Sequence, residues 1–151
     1  MGGSVRFDGR IERVGARALI PLPFEPREVW GDRGRYDVCG TIAGATYRGK
    51  VEFLEGRAWL PTGPAFLRDT GLLLGQTVSV EVGLEGPNLK DLDPEFRAAL
   101  ESDPAARAAF ESLNTFERKN LARSVDEAKR PETRARRIAD ALERLTQPQG
   151  G

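Results

Sequence analysis

Apolar and polar residues alternate along the first half of the chain, and this pattern predicts β-strands. Residues 5–11 place apolar or small side chains at every second position, as in a strand with one buried face. Five further apolar segments are bounded by glycine or proline and predict strands at 18–20, 36–42, 46–53, 57–60 and 77–82. Six short strands joined by tight turns are typical of a small barrel, closed or nearly closed.

Two interruptions of this strand-rich half predict short helices. Residues 26–31 and 64–71 each have proline near the start and glycine at the end, which is the asymmetry expected of a helix. In a small barrel, such helices would plug an open end.

The second half has the 3.6-residue spacing of amphipathic helices. The dipeptide Asp-Pro at 93–94 and 103–104 supplies an N-cap and a first-turn proline for helices that end near positions 100 and 113. A third predicted helix covers 116–129, and Pro131 ends it and begins the last one. Most of these helices are too short to be stable alone, so they must pack on one another or on the barrel.

A glycine-proline-asparagine turn at 86–88 separates the two halves. The predicted fold class is therefore α+β, with a β-barrel domain at 1–87 followed by a small helical domain at 88–146. We expect loose ends at 1–4 and in a flexible tail at 147–151.

Composition and charge narrow the classes of function. The 23 basic and 23 acidic residues cancel, so no global field draws the protein towards nucleic acid or an anionic membrane. Histidine is absent and Cys39 is the single cysteine, which removes the commonest metal ligand and any internal disulfide framework. No apolar segment approaches the roughly 20 residues that span a bilayer. We therefore expect a cytoplasmic protein with no cofactor and no membrane span, of unknown oligomeric state.

Basic residues concentrate around the start of the last predicted helix. The 118–137 segment holds eight basic and three acidic residues, a local excess of five positive charges. Helical spacing places Arg134 at one edge of the buried stripe and Arg137 at the other. Glu132 and Thr133 fall in the first turn, where a carboxylate favours the helix dipole and a hydroxyl can satisfy a free amide.

Several interpretations of this segment stay open. In the structural one, Glu132 caps the helix and one arginine pairs with a carboxylate across the domain junction. In the binding one, the segment holds a phosphate, a carboxylate or an acidic partner surface. The residues assigned to that site are Lys129, Glu132, Thr133, Arg134 and Arg137.

Two further alternatives differ in chemistry. An unrecognised enzyme would use Lys129 or Glu132 with arginines as charge stabilisers, although no complete catalytic set is evident. Nucleic-acid binding through 118–137 is disfavoured, because aromatic residues suited to stacking are not interleaved there.

The strand-rich half offers its own candidates. Trp30, Tyr47 and Trp59 would line a ligand pocket if the barrel has an open mouth, or would fill a small core. Arg48, beside Tyr47, is either an anchor for that ligand or a surface residue. Cys39 is interpreted as a small buried residue and not as a nucleophile, because the chain has no histidine to activate it.

Three sequence segments carry a resemblance to known bacterial families. The strings IPLPFEPREVWG at 20–31 and VCGTIAG at 38–44 resemble the domain of unknown function 1905, a small β-barrel. The string AKRPETRARRI at 128–138 resembles the hallmark of the YdeI/OmpD-associated family, described as bacteriocin-protection proteins. The resemblance implies a bacterial binding or stress-protection module. We predict that it binds a small anionic ligand or a peptide at the seam between barrel and helices.

Overall fold

A computed structural model describes residues 4–147, which divide into two compact units, one ending at Glu85 and the other beginning at Gly86. Strands make up the first unit and helices the second, apart from two short helices in the first. This confirms the α+β class. The ends that we expect to be loose lie largely outside the described residues, at 1–3 and 148–151.

The first unit contains two four-stranded sheets in which every pairing is antiparallel. The first sheet has the order β1 (Val5–Arg10), β8 (Thr77–Leu84), β4 (Asp37–Ile42) and β5 (Ala45–Lys50). The second has the order β2 (Glu12–Val14), β3 (Arg17–Pro21), β7 (Arg57–Pro61) and β6 (Glu52–Leu54).

The predicted six-stranded barrel is not confirmed, since the described residues form eight strands and neither sheet closes on itself. The single strand predicted at 46–53 is divided at Val51, whose N–H donates to the Tyr36 carbonyl at 2.9 Å. Ile11 likewise separates β1 from β2, a strand that the sequence pattern did not predict. Both Val51 and Ile11 are buried, so the chain changes sheet at these residues without interrupting the apolar pattern.

The two helices predicted in this unit are confirmed as α1 (Pro26–Trp30) and α2 (Gly63–Thr70). Phe66 and Leu67 of α2 pack on a core that both sheets share. Residues of that core include Ile11, Ile20, Val38, Ile42, Leu60, Val78, Val80 and Val82.

Up to Gln147, where the described residues end, the second unit contains four helices and a 3₁₀ turn at Leu89–Asp91. They are α3 (Pro94–Glu101), α4 (Pro104–Ser112), α5 (Thr115–Asp126) and α6 (Pro131–Thr146), as the pattern predicts to within a few residues. The Asp93 carboxylate accepts hydrogen bonds from two amides of α3, and Asp103 accepts one from α4, which confirms both caps. In the part of the chain that the structure describes, no helix has the length and apolar character needed to cross a membrane.

Candidate functional site

The amino end of α6 has no side-chain cap. Pro131 occupies the first helical position and has no N–H, and the Arg134 amide is the one that donates to the Arg130 carbonyl, at 2.9 Å. The amides of Glu132 and Thr133 therefore precede the intrahelical hydrogen bonds. The predicted cap by Glu132 is wrong, because a carboxylate reaches back to the N-cap amide from the third helical position and Glu132 is at the second.

Arg134 links the start of α6 to the start of α3. One of its terminal nitrogens donates to the Ala128 carbonyl at 3.1 Å. Its Nε lies 3.9 Å from Asp93 Oδ1, and Nη1 lies 3.7 Å from Glu95 Oε1. Both carboxylates belong to the helical unit itself, whereas the structural interpretation had placed the partner across the domain junction.

Three of the other cations near Arg134 differ in their environment. Arg137 is half-buried and donates to the Ser124 carbonyl at 2.7 Å, which links α6 to α5. Lys129 and Arg130 are exposed, and within residues 4–147 their side chains form no hydrogen bond or ion pair. Among the eight cations of the 118–137 segment, Arg134 and Arg137 thus brace α6, and Lys129 and Arg130 are the two exposed ones that directly precede it.

The sequence interpretation treated Arg118 as one charge of a basic segment, but the structure buries it at 1% exposure. Its guanidinium donates to the Leu113 carbonyl and lies 3.3 Å from Thr115 Oγ1. Arg118 precedes Leu121 by three residues and Val125 by seven, so helical spacing places all three on one face. That spacing could have identified Arg118 as a core residue. Its burial removes one positive charge from the excess that the 118–137 segment presents at the surface.

In the first unit, the aromatic candidates lie in the core. Trp30 and Tyr47 are only 6% and 3% exposed. The Trp30 ring packs edge-on against Phe24 with centroids 5.3 Å apart, and Tyr47 packs against Phe66 at 5.7 Å. The Tyr47 hydroxyl donates to the Pro61 carbonyl at 2.7 Å. These rings fill core space, and a ligand-binding role for them stays a prediction.

Arg48 projects from β5 with its side chain 69% exposed, and it is held by both carboxylate oxygens of Glu85 at 2.5 and 2.8 Å. The strand register places Cys39 of β4 directly opposite Arg48. Cys39 is half-buried and not fully buried as predicted, and this partial burial raises the pKa of its thiol, which disfavours the reactive thiolate. Arg48 is thus engaged in an ion pair at the surface.

The buried Tyr47 phenol makes the free energy of unfolding depend on pH in the alkaline range. Burial, assisted by the charge of Glu52, raises the pKa of the Tyr47 phenol above its usual value. The folded state therefore holds this proton at pH values where the unfolded state loses it, so the contribution is complete below about pH 10 and declines as the pH rises further. We expect the free energy of unfolding to fall above pH 10 by up to about 1.4 kcal/mol per pH unit.

Urea unfolding followed by tryptophan fluorescence at pH 7 and above pH 10 measures this effect, since Trp30 and Trp59 both lie in the first unit. Tyr47→Phe should lose about 1 kcal/mol at pH 7 with the hydrogen bond to Pro61, and should show a smaller alkaline decline. Tyr36→Phe keeps Tyr47 and serves as the control. An unchanged alkaline decline in Tyr47→Phe would contradict the assignment.

Two family models match the chain. One covers residues 7–82 and is described as a domain of unknown function, DUF1905. The other covers residues 91–147 and is described as bacteriocin-protection, YdeI or OmpD-associated. The DUF1905 model spans just over half of the chain, so the chain belongs to that family, and its helical part matches the YdeI/OmpD-associated model. Its strand-rich part is a domain of unknown function 1905, and comparison with curated proteins gives no match.

In the YdeI/OmpD-associated domain, the string AKRPETRARRI joins the end of α5 to the first two turns of α6. Its apolar ends, Ala128 and Ile138, are buried, and Arg134 and Arg137 brace the helix between them. Lys129 and Glu132, the residues of the enzyme alternative, are both exposed, and that alternative stays a prediction. Among residues 4–147, no three His, Cys, Asp or Glu side chains are grouped to hold a metal ion.

Proposed function

We propose that this chain is a non-enzymatic binding module and that the start of α6 holds an anionic group of a small ligand or a peptide. Lys129, Arg130 and the amides of Glu132 and Thr133 form the site. The family description, which associates its members with bacteriocin protection, favours a role in protecting a bacterial cell from stress.

The observation that carries the proposal is an uncapped helix end beside two unpaired cations. A helix concentrates about half a positive charge at its amino end, and the free amides there point outward along the axis. Phosphates and carboxylates bind in this geometry. Lys129 and Arg130 immediately precede the helix, where they can close on the same anion.

Arg134 and Arg137 support this site more than they contact the ligand. The Arg134 guanidinium faces Asp93 and Glu95, which reduces the charge that it can offer to an external anion. Arg137 is committed to the Ser124 carbonyl. Both arginines hold α6 against neighbouring helices, so they keep the free amides and the two exposed cations in place.

The charge of the site limits the chemistry of its ligand. Glu132 is the one acidic side chain in the first turn of α6, and it is outnumbered by Lys129 and Arg130. A cationic peptide would be repelled here, whereas an acidic side chain or a free carboxyl terminus would be attracted. Within this proposal, any protection against a cationic toxin would not use direct capture at the start of α6.

Thermal unfolding with pyrophosphate or citrate at low ionic strength tests the proposal. We expect either anion to raise the melting temperature of the full chain, because a ligand at 100 times its dissociation constant adds about 2.7 kcal/mol of stability. The double variant Lys129→Gln/Arg130→Gln should lose most of this rise in melting temperature, and a higher salt concentration should not restore it.

A matched control removes two other exposed cations of the same helices, in the double variant Arg123→Gln/Arg136→Gln. It should keep the anion-induced shift. The single variant Arg134→Ala should be less stable than the wild type and still respond to pyrophosphate. Equal loss of the shift in both double variants would indicate a general charge effect and would overturn the site.

A further inference from the structure

A groove of about 670 Å³ lies among α4, α5 and the last turn of α6. It is distant from the proposed anion site, since Glu132 and Arg144 are twelve residues apart on one helix, or about 18 Å at 1.5 Å per residue. Its volume falls within the roughly 300–1,000 Å³ of small-molecule sites. The groove is therefore a second candidate site in the helical unit.

Half of the residues that line this groove are apolar. Ala109, Leu113, Leu121 and Leu145 contribute aliphatic surface. Phe116, at the start of α5, also lines the groove and leaves 71% of its surface exposed. An exposed aromatic ring beside aliphatic side chains offers a surface on which a flat apolar group can stack.

The polar lining of the groove includes one cation, Arg144. Arg144 is exposed and forms no hydrogen bond or ion pair with other residues of the 4–147 range. Glu117, on the same rim, accepts a hydrogen bond from the Asn114 side chain at 3.2 Å, within the cap of α5. Glu117 and Arg144 thus give the groove one charge of each sign, and Arg144, which has no partner among residues 4–147, is the group that would bind an anion.

A smaller cavity of about 140 Å³ adjoins the groove and shares Leu121 and Arg144 with it. Arg137 and Asp140 line this smaller cavity, so the surface becomes polar beyond Arg144. Arg144 thus stands at the boundary between an apolar and a polar pocket. A ligand seated here would place its apolar part at Phe116 and Leu145 and its charged part at Arg144.

We propose that this groove binds an amphipathic small molecule that has an aromatic or aliphatic body and one anionic group, a carboxylate or a sulfonate. The body would lie against Leu113, Phe116 and Leu145, and the anion would accept hydrogen bonds from the Arg144 guanidinium. The apolar lining, together with Arg144, which has no partner among residues 4–147, defines this class of ligand. The site is independent of the start of α6, and either site can fail without the other.

Naphthalene-2-sulfonate is a suitable probe, titrated into the ¹⁵N-labelled full chain and followed by amide chemical shifts. We expect saturable shifts at Leu113, Phe116, Leu121 and Leu145. Phe116→Ala and Arg144→Gln should each weaken binding about tenfold. Both side chains are exposed, so both variants should keep the wild-type melting temperature within a few degrees.

Matched controls come from the same chain. Phe53 is another exposed phenylalanine, at 55%, and Arg136 is exposed on α6 outside the groove, so Phe53→Ala and Arg136→Gln should bind the probe like the wild type. The neutral analogue naphthalene-2-methanol should bind at least fivefold more weakly than the sulfonate. Both results are expected if the apolar lining and Arg144 bind the probe together.

Three results would overturn the proposal: equal affinity for the neutral analogue, equal weakening by the control variants, or shifts that do not saturate. Sedimentation velocity adds a fourth. If the wild type self-associates and Phe116→Ala does not, the groove is covered by a second copy of the chain and the small-molecule site is rejected. None of these outcomes alters the expected response to pyrophosphate.

Discussion

Replacing Arg118 with alanine is expected to lower the free energy of unfolding of the helical unit by about 3 kcal/mol. The side chain is 1% exposed, so the substitution leaves a large cavity in the core. It also removes the donor that satisfies the Leu113 carbonyl, and an unsatisfied buried carbonyl costs about 1–3 kcal/mol. The substitution also removes a buried charge from the folded state, and the desolvation cost that is avoided offsets part of the losses from the cavity and the carbonyl.

Denaturant unfolding followed by helical circular dichroism measures this loss. Arg118→Met preserves most of the volume without the hydrogen bonds and should lose less, about 1–2 kcal/mol. Arg123→Ala removes an exposed arginine from the same helix and should change stability by no more than about 0.5 kcal/mol. If Arg118→Ala were as mild as Arg123→Ala, the buried position of Arg118 would be wrong.

Gly40→Ala is expected to destabilise the strand-rich unit by about 3 kcal/mol. Gly40 lies in β4 opposite Val82 of β8. A Cβ atom at this position would stand 1.9 Å from the carbonyl oxygen of Glu81. The backbone φ of Gly40 is +157°, a value that residues with a side chain rarely adopt. The backbones of β4 and β8 would have to separate in the interior of their sheet. The string VCGTIAG thus contains a glycine for which the close approach of two strands is the physical reason.

Tryptophan fluorescence during urea unfolding reports this change, because both tryptophans are in the first unit. Gly83→Ala is the matched control on the same pair of strands. Its Cβ would meet the Ser4 hydroxyl at 3.2 Å, a contact that a small shift relieves, so it should cost about 1 kcal/mol. Equal stability of the two variants would show that β4 and β8 do not approach each other this closely.

The helices illustrate what a local pattern can predict. Asp93 and Asp103 each cap the helix that follows within three residues, so the whole device is contained in a short segment. The same holds for the prolines that open α1 and α6. The boundaries of the strands were harder to predict from the sequence, because Val51 keeps the apolar pattern while its backbone turns from one sheet to the other.

The candidate site shows the complementary case. The sequence places Arg134 and Arg137 on the flanks of a buried stripe, and the structure finds both half-buried. Their partners, the carboxylates near α3 and the Ser124 carbonyl of α5, are brought to them by helix packing. The sequence pattern places Phe116 at the start of a helix, but its place in a groove depends equally on α4 and α6.

By itself, the sequence determined the family, the order of strands before helices, and the caps and prolines that begin the helices, because these signals act over a few neighbouring residues. Only the tertiary structure decided which of the clustered cations is buried, which are paired and which stay free. Arg118, Arg134 and Lys129 carry the same charge. Their roles differ because folding buries Arg118, brings carboxylates to Arg134, and, among residues 4–147, brings no partner to Lys129.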